Sequence, residues 1–187
     1  ILTPTREQLI HALYEAAELE HNLMCTYLYA AFSLKDGESE GLSAQEAVAV
    51  KRWRRAILDV AIDEMGHLTA VWNITAALGG QPAFGRDNFP LDPGGLPGGV
   101  VVKLAPFNME VLQHFIHLER PEGSDEPDGA GFQHFSFKRG ALKPRLTPMP
   151  IDYDTVGQFY QTMEFALRYM TEKFGEKDLF CGDPGLQ

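Results

Sequence analysis

A carboxylate at the centre of an apolar helix stripe leaves a chain few folds, because the charge must be met inside the core. The stretch Ile57-Leu58-Asp59-Val60-Ala61-Ile62-Asp63-Glu64-Met65-Gly66-His67-Leu68 has this property. Turning about 100 degrees per residue from Glu64, Trp53, Ile57, Val60, Leu68, Val71 and Leu78 all fall within about 40 degrees of it. His67 lies one turn further along the same face. A metal held jointly by Glu64 and His67 would meet the charge. A neighbouring Arg or Lys would also do so, and a core histidine with a satisfied hydrogen bond would explain His67 alone. Partners elsewhere in the chain decide between these readings.

The helix that carries this stretch opens at Ser43, with Glu46 three residues on as a capping box, and runs to Leu78 before Gly79-Gly80. At 1.5 Å per residue its length is roughly 50 Å, which suits a bundle. An earlier helix starts at Thr5, boxed by Gln8, and ends at about Ser33 before Asp36-Gly37. Its stripe is Leu9, Leu13, Ala16, Leu23, Met24, Tyr27 and Ala31. Glu20 sits at the centre of that stripe and Glu18 nearly opposite, so Glu20 is the second expected core carboxylate and Glu18 is expected in water.

From Gly79 to Pro106 the composition turns to Gly and Pro, and this length suits a long crossover between second and third helices, with Val100–Val102 as a short extended piece. The third helix is short, from Asn108 as cap to about Glu119, before Pro121. Its expected stripe is Leu112, Phe115, Ile116 and Glu119, which makes Glu119 the third core carboxylate. Glu110, His114 and His117 resemble a metal cluster by eye, but the wheel sets them roughly 140 to 180 degrees from Glu119 and so predicts a solvated face. A second irregular region runs from Pro121 to Asp152, where Phe132-Gln133-His134-Phe135-Ser136-Phe137 alternates as a short strand would. The last helix runs from about Asp154 to Phe174. Its stripe is Val156, Phe159, Met163, Leu167, Met170 and Phe174, with Tyr160 and Glu164 toward one edge.

The 187 residues suffice for a single domain, 1–187, with a sizeable core. A net charge of -10 argues against nucleic acid or an anionic membrane as partner. The one basic cluster, Lys51, Arg52, Arg54 and Arg55, reads as a solvated helix face. Two cysteines, Cys25 and Cys181, are too few for a disulfide framework or a thiolate metal site. With no leader at the start and no run approaching about 18 apolar residues, the cytoplasm is the expected compartment.

Three helices thus each bury one carboxylate, and a histidine follows one turn beyond the second. If the helices pack together, the repulsion must be relieved by protons or cations. Oxygen and imidazole donors suit iron or manganese better than zinc, whose structural sites favour thiolate and imidazole.

This pattern resembles the ferritin-like superfamily, whose di-iron sites use a Glu from each of two helices and a Glu-x-x-His from each of the other two. More narrowly, Ala17-Glu18-Leu19-Glu20-His21-Asn22-Leu23-Met24, Tyr27-Leu28-Tyr29-Ala30 and Asp63-Glu64-Met65-Gly66-His67-Leu68 resemble the ferritin-like domain of the iminophenyl-pyruvate dimer synthase family. The same holds for Ala77-Leu78-Gly79-Gly80-Gln81-Pro82, Phe115-Ile116-His117-Leu118-Glu119-Arg120-Pro121 and Val156-Gly157-Gln158-Phe159-Tyr160. The likeness covers nearly the whole chain.

It implies an all-α, ferritin-like four-helix bundle with a long crossover between helices two and three and long Gly/Pro-rich loops. It also implies metal ligands at Glu20, Glu64, His67 and Glu119, with Glu164 on the last helix. There the pattern departs: Leu167 follows Glu164 by three, so the second Glu-x-x-His is absent and one or two ions are both compatible. Tyr160 would be a ligand, a hydrogen-bond donor behind the ligands, or plain core.

Two functions follow. One is a non-haem iron (Fe2+/Fe3+, or Mn2+) oxidoreductase using dioxygen on a small amino-acid-derived substrate in secondary metabolism, alone, as a homo-oligomer or within a larger multidomain enzyme. The other is a non-catalytic ferritin-like domain that binds metal for structure or serves assembly.

Overall fold

The computed structural model describes residues 4–83, 89, 91, 96, 99–121, 123–132, 153 and 155–187. Among these it forms helices and irregular loops and no strand: α1 (Arg6–Ser33), α2 (Ala44–Ala77), α3 (Met109–Leu118), α4 (Val156–Phe174) and the single turn α5 (Glu176–Leu179).

Both long helices begin as their cap residues dictate. Thr5 Oγ1 accepts from the Gln8 amide while the Gln8 side chain accepts from the Thr5 amide, and Ser43 and Glu46 repeat the exchange. Asn108 caps α3 and Thr155 caps α4.

α1 and α2 run antiparallel along most of their length. Arg6 Nε donates to the Leu78 carbonyl at 2.7 Å at one end, and at the other Arg54 donates to the carbonyls of Ala31 (3.4 Å) and Leu34 (2.7 Å) and pairs with Asp36 (2.6 Å). Arg54 thus adds a second donor to the Ala31 carbonyl, which the Leu34 amide also reaches, and serves the Leu34 carbonyl beyond the helix end, and it leaves the solvated face expected for the basic cluster. Trp53 departs the other way: α2 outruns α1 here, so the indole that the wheel assigned to the core is 49% exposed.

The end of α2 is built on two glycines. Gly79 has φ +75°, and a Cβ there would stand 2.6 Å from the Arg6 guanidinium. A Cβ on Gly182 would lie 1.8 Å from the Ala76 carbonyl, because the C-terminal segment crosses the helix end and donates from the Gly182 amide to Ala77. Any side chain at either place would push these segments apart.

Among the described residues apolar packing falls into two clusters. One joins Leu9, Leu13 and Ala16 of α1 to Leu68 and Val71 of α2 and to Phe159, Met163 and Met170 of α4. The other joins Leu19, Leu23 and Tyr27 of α1 to Ile57 and Ala61 of α2 and to Val111 and Phe115 of α3. α4 therefore covers one half of the α1–α2 pair and α3 the other. Tyr160 touches both clusters.

The buried face of α3 is not the one its stripe suggested. Val111, His114 and Phe115 are buried, Leu112 is half-buried and Ile116 is 43% exposed. The solvated face expected for Glu110, His114 and His117 therefore holds for Glu110, is only partial for His117 and fails for His114, which is 1% exposed. The segment after α3 doubles back over it, so that the Phe132 ring stacks on His114 with centroids 3.9 Å apart and Asp128 accepts from its Nδ1 at 2.7 Å. A single-helix wheel assumes one buried side, whereas this short helix has neighbours on two. Val100–Val102 is irregular rather than paired, with Val102 buried, and Phe132 closes a 3-10 turn. Gln133–Phe137, the rest of the expected strand, lies outside the described residues.

Candidate metal centre

Glu20 and Glu64 face each other across the α1–α2 interface, at the seam between the two apolar clusters, and each is 4% exposed. His67 Nδ1 stands 3.4 Å from Glu20 Oε2 and 3.2 Å from Glu64 Oε2. One donor atom from each of the three lies within 4.8 Å of the other two, the distance over which a single cation can be shared; among the described residues no other group of three His, Cys, Asp or Glu donors does this. The His67 side chain is 60% exposed while those of the carboxylates are 5% exposed, so the cluster is walled by core on one side and open on the imidazole side.

The electrostatics match the geometry. Burial pushes the Glu20 carboxyl up to about 10, helped by a hydrogen bond with Glu64 and by the charges of Glu64 and Glu119. Two carboxyl groups hydrogen-bonded to each other must hold a proton between them. A divalent cation relieves the same repulsion, and an oxygen and imidazole donor set is one that iron or manganese accepts.

Two phenols brace the cluster. Tyr160 of α4 donates to Glu20 Oε1, leaving Oε2 toward His67. Tyr27, two turns beyond Glu20 on α1, donates to Glu119 Oε1 at 2.6 Å. Burial, and then the Glu119 charge, push the Tyr27 hydroxyl up, so it remains a neutral donor. The apolar stripe of α1 places the Tyr27 ring in the core and says nothing of its hydroxyl. Its spacing of seven from Glu20 was the signal that its hydroxyl shares that face.

The remaining expected ligands are placed differently. Glu119 is not a core carboxylate: α3 ends at Leu118, and Glu119 is the exposed residue that caps it. Its carboxylate turns inward to the Tyr27 hydroxyl, near enough for its charge to act on Glu20. Glu164 is exposed and paired with Arg168 at 2.7 Å, one turn on along α4, and the structure does not bring it to the cluster. Among the described residues α4 approaches the carboxylates through the Tyr160 hydroxyl.

With this geometry established, comparison with known proteins is informative. The family model described as Ferritin-like matches residues 13–187. The 2-imino-3-(indol-3-yl)propanoate dimerase of Chromobacterium violaceum is 32% identical over 141 residues, which is 63% of this chain and 13% of that protein. The dichlorochromopyrrolate synthase of Lentzea aerocolonigenes is 33% identical over 144 residues, 64% of this chain and 13% of that protein. The match therefore spans about an eighth of the length of either relative. No solved structure matches. The two relatives agree with the narrower resemblance carried by the helix motifs, and helices, carboxylate seam and family match together lead to one conclusion: the chain belongs to the Ferritin-like family.

Proposed function

We propose that this domain holds one divalent iron or manganese ion on Glu20, Glu64 and His67 and works as a non-haem oxidoreductase. The co-reactant would be dioxygen and the substrate a small amino-acid-derived molecule, in secondary metabolism as the names of the two relatives suggest. The observation that carries this reading is the convergence of two buried carboxylates and one imidazole from α1 and α2 on a shared point. Glu119, whose charge is felt at Glu20, is the next ligand we assign. A centre with one ion does not require Glu164.

Such an ion would supply one-electron redox chemistry and a coordination position for dioxygen. The protein's own part is positional. Tyr160 fixes Glu20 so that Oε2 faces His67, and Tyr27 tethers Glu119 beside the cluster. The seam walls exclude water from the carboxylates, while the exposed flank of His67 lets small molecules approach.

Metal analysis of the purified, reconstituted chain tests the reading. Near one iron or manganese per chain is expected, falling at least tenfold in Glu64→Ala, with aerobic turnover lost in parallel. Full metal content in Glu64→Ala would reject it. The displaced Glu164 and the small share of each relative that is matched favour a second reading, a metal-binding or assembly domain without catalysis. Metal bound at Glu64 without dioxygen consumption would select it.

A further inference from the structure

A cavity of about 390 Å³ lies between the C-terminal half of α3, the loops on either side of it and the first turn of α4, a size suited to a small organic ligand. Leu118, Val101 and Val156 give it apolar wall; Arg120, His117 and Asp128 give it charge and polarity.

The charges in this wall do not satisfy one another. Arg120 donates to the His117 carbonyl, and among the described residues no acidic side chain pairs with it. Asp128 uses Oδ1 twice, accepting from His114 Nδ1 and from the Gly129 amide, both at 2.7 Å. Its Oδ2 faces His117 Nε2 at 3.9 Å, too far for a hydrogen bond. His117 Nδ1 lies 2.8 Å from the Glu126 carbonyl, which can only accept, so Nδ1 carries a proton and donates there. Asp128 Oδ2 thus has no hydrogen-bond partner among the described residues, and it shares the wall with a guanidinium that has no acidic partner among them. An N–H-bearing group fits the first and a carboxylate the second.

We propose that this cavity is a binding site for a small zwitterion, an α-amino acid or its imino form. Arg120 takes the carboxylate, and Asp128 Oδ2, beside His117 in the wall, takes the nitrogen. His114 is a positioning residue: buried between Phe132 and Asp128, it engages Oδ1 of the carboxylate and leaves Oδ2 to meet the ligand. The site stands beside the carboxylate cluster rather than in it. Val156 and Gly157 line the cavity while Tyr160, one turn further along α4, reaches Glu20. The inference rests on the substrate class proposed above for the choice of an indole side chain in its probes.

Calorimetric titration of the metal-free chain tests it with three probes that share one ring: L-tryptophan, indole-3-propanoate, which lacks the amine, and tryptamine, which lacks the carboxylate. Tryptophan is expected to bind about tenfold to hundredfold more tightly than either of the others, the range for one charged hydrogen-bonded contact. R120Q should erase its advantage over tryptamine, and D128N should erase its advantage over indole-3-propanoate. E64Q should leave all three affinities unchanged. If D128N fails to fold, as judged by circular dichroism, H117A reads the same side of the cavity. Equal affinity for the three probes, no binding of tryptophan, or tryptophan binding kept in R120Q and lost in E64Q would each overturn the proposal. Metal content, measured on the same samples, reports on the carboxylate centre separately.

Discussion

Glu20→Gln in the metal-free protein should flatten the dependence of stability on pH. The Glu20 carboxyl is held at about 10 in the fold against an ordinary value of 4.5, chiefly by burial and then by Glu64. A group raised on folding binds its proton more tightly in the native state. Its stabilising contribution is complete below about 4.5 and is lost progressively as pH rises toward the folded value. Between these limits the native state holds up to one more proton than the unfolded chain, so stability falls by up to about 1.4 kcal/mol per pH unit. From pH 6 to pH 8 that is nearly 3 kcal/mol as an upper bound, or a fall in Tm of roughly 6 to 10 °C for a domain of this size. Glutamine keeps the shape and the hydrogen-bonding capacity but carries no titrating proton. Thermal melts of both proteins in chelator across this range, monitored by circular dichroism, give the comparison directly. Titrating groups remote from the seam are common to both and cancel in the difference. Parallel Tm curves for the two proteins would refute the placement of a protonated carboxyl in the seam. Saturating iron or manganese should reverse the wild-type slope, because a cation competes with the proton for the same oxygens.

Tyr160→Phe removes the donor that orients Glu20 and should weaken metal binding by about 10-fold to 100-fold, as losses behind a ligand typically do; competition with a fluorescent chelator reads it, and unchanged affinity would make the tyrosine merely core. Glu164→Ala breaks only an exposed pair on α4 and should move stability by less than about 0.5 kcal/mol in urea unfolding with metal content unaltered; loss of metal there would return Glu164 to the ligand set.

Much of this was legible in the chain. Thr5 with Gln8 and Ser43 with Glu46 announce where the long helices start, because capping is local and needs no knowledge of the neighbours. Glu20 and Glu64 were legible for a related reason: on helices of 28 and 34 residues the stripe is long enough to define its own centre. On the ten residues of α3 it is not. Glu119 falls beyond the helix end, and the true inner face was shifted by a segment arriving from 124–132, which no periodicity within α3 encodes. Arg54 and Trp53 were misplaced because the point at which α1 stops beside α2 is a property of the pair. His114 illustrates the limit most clearly: what makes it a buried anchor is Phe132 and Asp128, fourteen or more residues downstream.

The seam that separates the two apolar clusters makes the bundle a structure of two halves joined by a polar belt. While the belt is held only by a shared proton, α1 and α2 run through both halves but the carboxyl pair adds little to the coupling between them. A ligand that neutralises the belt would act as a rivet, turning two loosely coupled cooperative units into one. Hydrogen exchange would register this as a merging of two protection levels, Leu13 and Met163 on one side and Leu23 and Phe115 on the other, into a common value.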